Sequence, residues 1–127
     1  MKAWSLAACI GIACLIFQVL ELEIALRYGR SEILDSGQWW RIITANLVHL
    51  GYPHLFLNLA GLALITLLLA HAMTAWRWAF TGLCSMLGVS IGLLLFDPQL
   101  LWYVGLSGVL YGLLLGCLLY TSPSPRD

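Results

Sequence analysis

Charge is what this sequence has least of. Six basic and six acidic residues in 127 leave too few ionised side chains to clothe a soluble domain; 61% of the chain is hydrophobic and the mean hydropathy is +0.92. At that balance the bilayer is the expected solvent. The formal net charge is zero, so no basic field marks a nucleic-acid partner. Paired cysteines are lacking too. Cys9, Cys14, Cys84 and Cys117 sit singly in apolar runs, without a CxxC or a Cys/His cluster. That argues against disulfides and against a metal, and for small buried hydrophobes. No cofactor is expected. The first apolar run ends in FQVLELE, with no small-x-small cleavage pattern, so an uncleaved first span is expected rather than a signal peptide.

What is present is a set of four apolar segments: Ala3 to Leu20, Pro53 to about Ala75, Trp78 to Phe96, and about Leu100 to Leu119. Each has roughly 18–23 residues, enough to cross a hydrocarbon core, and only helices satisfy their own backbone there. The expected fold is all-α: a polytopic membrane helix bundle of about four transmembrane helices. Between the first and second spans lies ELEIALRYGRSEILDSGQWWRIITANLVHLGY, which holds seven of the twelve charges. It reads as an interface-lying segment with Trp39 and Trp40 at headgroup level. Residues 1–120 form the expected domain. The polar ending YTSPSPRD breaks character abruptly, and residues 121–127 read as a foreign or read-through tail on a truncated chain. Charge leaves the orientation open, with Lys2 and Arg77 on one side and Arg27, Arg30 and Arg41 on the other.

Polar side chains at membrane depth are costly and need a reason. His54, Asn58 and Gly61, spaced four and three apart, share one helical face. Ser107 stands between glycines in WYVGLSGVLYGLLLG, and Gly108, Gly112 and Gly116 repeat every fourth residue. Each pattern has a packing explanation: interhelical hydrogen bonds for the first, close helix approach for the second, with Gly88 and Gly92 as a similar pair. Parity links them. Spans starting at Pro53 and Leu100 enter from the same side, placing His54 and Asn58 roughly 1–8 Å below that face and Ser107 about 10 Å below it. A hydroxyl, an imidazole and a carboxamide at like depth suit acyl transfer, with Ser107 attacking a carbonyl and donors awaiting the oxyanion. No general base is evident. His54 qualifies only if free of oxyanion duty, His49 lies outside the span, and His71 sits about 25 Å along the same helix.

These residues resemble the rhomboid intramembrane serine proteases. WWRIITANLVHLGYPHLFLNLAGL is similar to that family's Trp-Arg approach to its HxxxN motif, and YVGLSGVLYGLL to its GxSGxxY motif. The resemblance implies that Ser107 is the nucleophile and that His54 and Asn58, with the Ser107 amide, support the oxyanion. It also implies that Gly105 and Gly108 flank the serine, that Tyr111 packs near the catalytic histidine, and that His49 stabilises the first loop. It implies an inside N-terminus in a multi-pass protein of the bacterial inner membrane, acting on a transmembrane protein substrate. The wording is most similar to the rhombosortase branch, thought to process C-terminal membrane anchors, although Tyr111 stands where that branch often has a histidine. The family's base is a histidine on a later span, absent here, which would leave the glycine ridge a groove without its partner. The resemblance therefore implies a serine endopeptidase whose general base is missing from this chain.

Two other functions fit the residues. One is a catalytically inactive rhomboid-like protein that binds client helices through its glycine-lined faces. The other is a small transporter with His54, Asn58 and Ser107 along a polar path, weakened by the lack of any charged side chain in the middle of a span.

Overall fold

The computed structural model describes residues 1–122. Four long apolar helices dominate it: α1 (Ala3–Val19), α5 (Tyr52–Leu69), α6 (Ala75–Phe96) and α7 (Ser107–Thr121). Helix α5, continued by a 3-10 turn to Ala72, and helix α6 are long and apolar enough to cross a membrane; α1 and α7 are shorter, at 17 and 15 residues. Their outward faces carry large exposed apolar side chains, including Leu57, Leu67, Phe80, Leu95 and Leu119. An apolar face that large suits lipid rather than water. Of the polar tail expected over residues 121–127, the part from residue 123 onward lies outside the described residues.

Helix ends follow local chemistry. Pro53 sits in the first turn of α5, where no intrahelical N–H is lost. Thr74 caps α6 by accepting the Arg77 N–H at 3.3 Å, so this helix starts three residues before the expected Trp78. Asp97-Pro98 ends it. The expected fourth span is corrected more substantially. Leu100–Leu106 is not helical: Trp102 and Tyr103 form a two-residue strand (β2) paired antiparallel with Tyr28 and Gly29 (β1). Non-local backbone pairing overrides the local apolarity that suggested a helix. Along this segment the chain passes from exposed Leu101 to fully buried Leu106, so it runs inward before α7 begins.

The stretch between α1 and α5 folds into short elements: α2 (Glu23–Leu26), β1, α3 (Arg30–Leu34), α4 (Arg41–Thr44) and a 3-10 turn (Ala45–Leu47). Trp39 and Trp40 remain more than half exposed there.

Helix α7 packs between α5 and α6. A Cβ added to Gly61 of α5 would come within 2.9 Å of Leu110, and one added to Gly108 or Gly116 within 2.5 Å of Val89 or 2.7 Å of Thr81 on α6. At Gly112 it would collide with the Ser85 hydroxyl. The glycine ridge thus has a partner in α6, where Val89, Ser85 and Thr81 repeat with the same four-residue period, while a cleft beside Gly112 and Gly116 stays open. Gly88 and Gly92 differ, with nothing within 4 Å of an added Cβ, and make no such contact among the described residues.

Candidate active site

The site begins with a turn. The Leu50 N–H donates to His54 Nδ1 at 3.2 Å, so the neutral ring carries its proton on Nε2. One turn further along α5, buried Asn58 gives one of its two amide hydrogens to the His54 carbonyl at 2.9 Å, which keeps the other in reserve.

Gly105 brings α7 to that histidine. Its φ of +117° is a backbone conformation that side-chain-bearing residues rarely adopt, and a Cβ there would lie 2.9 Å from His54 Cε1 and 3.0 Å from Nε2. The Gly105 N–H donates to the Ala45 carbonyl at 3.0 Å, pinning the segment just before the helix. Ser107 is then the first residue of α7 and is half-buried. It starts the helix rather than lying well inside one, and it still comes to line one cleft with His54 because the extended segment has already carried the chain inward. The first α-helical bond runs from Leu110 N–H to the Leu106 carbonyl at 3.0 Å, while the N–H groups of Ser107, Gly108 and Val109 have no backbone acceptor among the described residues. Free amides and the helix dipole make this end of α7 attractive to developing negative charge.

His54, Asn58, Ser107 and Tyr111 line one cleft of about 280 Å³ between α5 and α7, walled by Leu57, Ile65, Leu110 and Leu114. Tyr111 stands at its rim, largely exposed. A larger cleft of about 570 Å³ lies between α6 and α7 and contains no histidine. Among the described residues no group of His, Cys, Asp or Glu is assembled that could hold a metal ion.

Residues 36–127 match the Rhomboid domain family model. The chain belongs to the rhomboid family. Over 126 residues it is 29% identical to Rhomboid protease GluP of Bacillus subtilis (strain 168), an alignment covering 92% of this chain and 24% of that protein. Over 78 residues it is 32% identical to YdcA of the same strain, provisionally named a rhomboid protease, covering 61% and 39% respectively. This rhomboid chain thus spans less than half the length of both relatives.

Several residues that hold the rhomboid site together were not singled out from sequence. Arg41, almost fully buried, donates from Nη1 to the Ile24 and Arg27 carbonyls at 3.1 and 2.8 Å and from Nε to Gln38 at 2.7 Å. Buried Ser90 of α6 donates to the Ile42 carbonyl at 2.7 Å, anchoring the turn whose Ala45 carbonyl holds Gly105. An arginine following two tryptophans was the available signal for Arg41; one serine in an apolar helix gave none for Ser90. His49 is buried edge-on to His54, with ring centroids 5.0 Å apart, and neither nitrogen has a hydrogen-bond partner among the described residues. Arg41 holds the loop through hydrogen bonds, while His49 contributes buried packing against His54. Burial, with the nearby His54 second, pushes the His49 pKa down to about 4. His71 is exposed on the 3-10 turn at the opposite end, beside Met1 and Lys2.

Proposed function

We propose that this protein is an intramembrane serine endopeptidase of the rhomboid type, with Ser107 as nucleophile. The observation that carries the reading is the shared cleft, lined both by Ser107 at the start of a helix and by a histidine whose free N–H is on Nε2. In the proposed reaction a base takes the Ser107 proton as Oγ attacks a peptide carbonyl. The Ser107 N–H, His54 Nε2–H and the spare Asn58 N–H stabilise the resulting oxyanion. Collapse releases the amine and leaves an acyl-enzyme, which water hydrolyses. The apolar cleft walls suit a transmembrane segment or a C-terminal membrane anchor as substrate; family membership supports a multi-pass protein of the bacterial inner membrane with its N-terminus inside.

His54 serves the oxyanion and not as the base, because its Nδ1 already accepts from Leu50. His49 is shut against His54, and His71 is at the far end. These are the chain's three histidines, so we read the general base as missing from the 127 residues. Without one, hydrolysis falls by several orders of magnitude, leaving only binding and oxyanion stabilisation. The alternative, an inactive rhomboid-like protein binding client helices, is favoured by the cleft beside Gly112 and Gly116.

Fluorophosphonate labelling in native membranes tests the protease reading on a longer form of the protein that carries a general-base histidine, because an unactivated serine hydroxyl reacts too slowly to label. Labelling at Ser107 that disappears in Ser107→Ala is expected. Labelling that survives the substitution overturns the assignment.

A further inference from the structure

Where α1 and α6 end, a third concave site, of about 430 Å³, shares no lining residue with the His54–Ser107 cleft and has a chemistry the peptidase reading does not use. It is lined by Arg27 and Arg30 on one hand and Glu32 and Asp35 on the other. Leu34, Leu101 and Trp102 complete the lining, with Leu101 70% exposed. We propose that this pocket binds the headgroup of a phospholipid whose phosphate is followed by a primary ammonium, that is, of the ethanolamine class.

Three parts of such a lipid meet three kinds of side chain. Its phosphate meets two guanidinium groups, each with donors to spare. Arg30 commits Nη1 to the Leu94 carbonyl at 2.9 Å, and Arg27 commits Nη1 to Glu23 at 3.4 Å while lying 5.0 Å over the Trp102 ring. Five N–H donors per arginine leave a fork free on each for phosphate oxygens. The ammonium meets the carboxylates of Glu32 and Asp35. Glu32 stays ionised, its pKa lowered first by a backbone N–H and then by the Ser31 hydroxyl, which donates to it at 3.0 Å. The upper acyl chains meet the exposed leucines and Trp102, an aromatic suited to the membrane interface. The site is also tied to a helix end, since Arg30 bonds the Leu94 carbonyl two residues before α6 stops at Phe96. Two positive and two negative groups make the lining formally neutral. This selects a zwitterion over an anionic lipid, for which the carboxylates are repulsive. A choline headgroup fits less well, because its methylated nitrogen has no N–H to donate to Glu32 or Asp35.

The test is lipid retention by the full chain, purified in detergent, exchanged against phosphatidylethanolamine, phosphatidylcholine or phosphatidylglycerol of matched acyl chains and read by native mass spectrometry. The ethanolamine lipid should be retained roughly fivefold more than either other lipid. The Glu32→Gln/Asp35→Asn pair should abolish that preference, and Arg27→Gln should lower retention of all three lipids. Asp35→Asn alone guards against misfolding, since the Asp35 side chain makes no hydrogen bond among the described residues; it should weaken the ethanolamine preference while leaving the circular dichroism spectrum unchanged. Equal retention of all three lipids, a preference for phosphatidylglycerol, or an ethanolamine preference that survives loss of both carboxylates would overturn the proposal.

Discussion

Helix α7 has two working faces, and they solve opposite problems. Toward α6 it presents Gly108, Gly112 and Gly116, and the helices approach until Val89, Ser85 and Thr81 fill the space where side chains would stand. Toward α5 it presents Ser107, Leu110, Tyr111 and Leu114, which hold the helices apart around a cleft of about 280 Å³. Removing side chains from one face lets α6 come into contact with it, which fixes the helix position even though a cleft of about 570 Å³ runs alongside that contact. The other face then stays open at a set distance from His54 and Asn58. The serine is polar yet accessible because its helix is anchored from behind.

That division of labour can be broken from either side. In a form that supplies the general base, the largest effect is expected from Ser107→Ala, which should abolish fluorophosphonate labelling, a loss of at least about three orders of magnitude, with thermal stability little changed. Next comes His54→Ala, which removes an oxyanion donor and should cut the labelling rate by about 10²–10³-fold. A result within twofold of wild type would strike His54 from the site.

Acid should act through His49. Its folded pKa of about 4 lies below the ordinary 6.5, so as pH falls the unfolded chain takes up the proton first. Stability is then fully retained above about pH 6.5 and drops by about 3 kcal/mol as pH falls toward 4. Thermal unfolding across that window checks it, and His49→Leu should flatten the slope. On the packed face, Gly112→Leu should destabilise by about 1–3 kcal/mol through collision with Ser85, whereas Gly88→Leu, facing open space, should be nearly silent. If both glycines tolerate leucine equally, α6 does not cover the ridge.

Much of this was legible in the sequence. Apolar runs gave four helices to within a few residues, except where α7 starts. There LLWYVG is as apolar in an extended segment as in a helix, and what decides is pairing with Tyr28 and Gly29, some seventy residues earlier. The spacing of His54 and Asn58, and of Ser107 between its glycines, was readable because each depends on neighbours along one chain segment. The scaffold of Arg41 and Ser90 was not, since both bond to distant backbone carbonyls, and every residue presents the same carbonyl.

The sequence by itself determined that the chain is built of apolar helices and carries a serine, a histidine and an asparagine within them at spacings that place each on a definite helical face. Periodicity and transfer free energy are local properties, and they need no fold to be read. Only the tertiary structure decided which nitrogen of His54 is free, that Gly105 must lack a side chain, and that α6 rather than an absent helix covers the glycine ridge. Each depends on what stands opposite a residue, and that is fixed when packed helices exclude one another's volume.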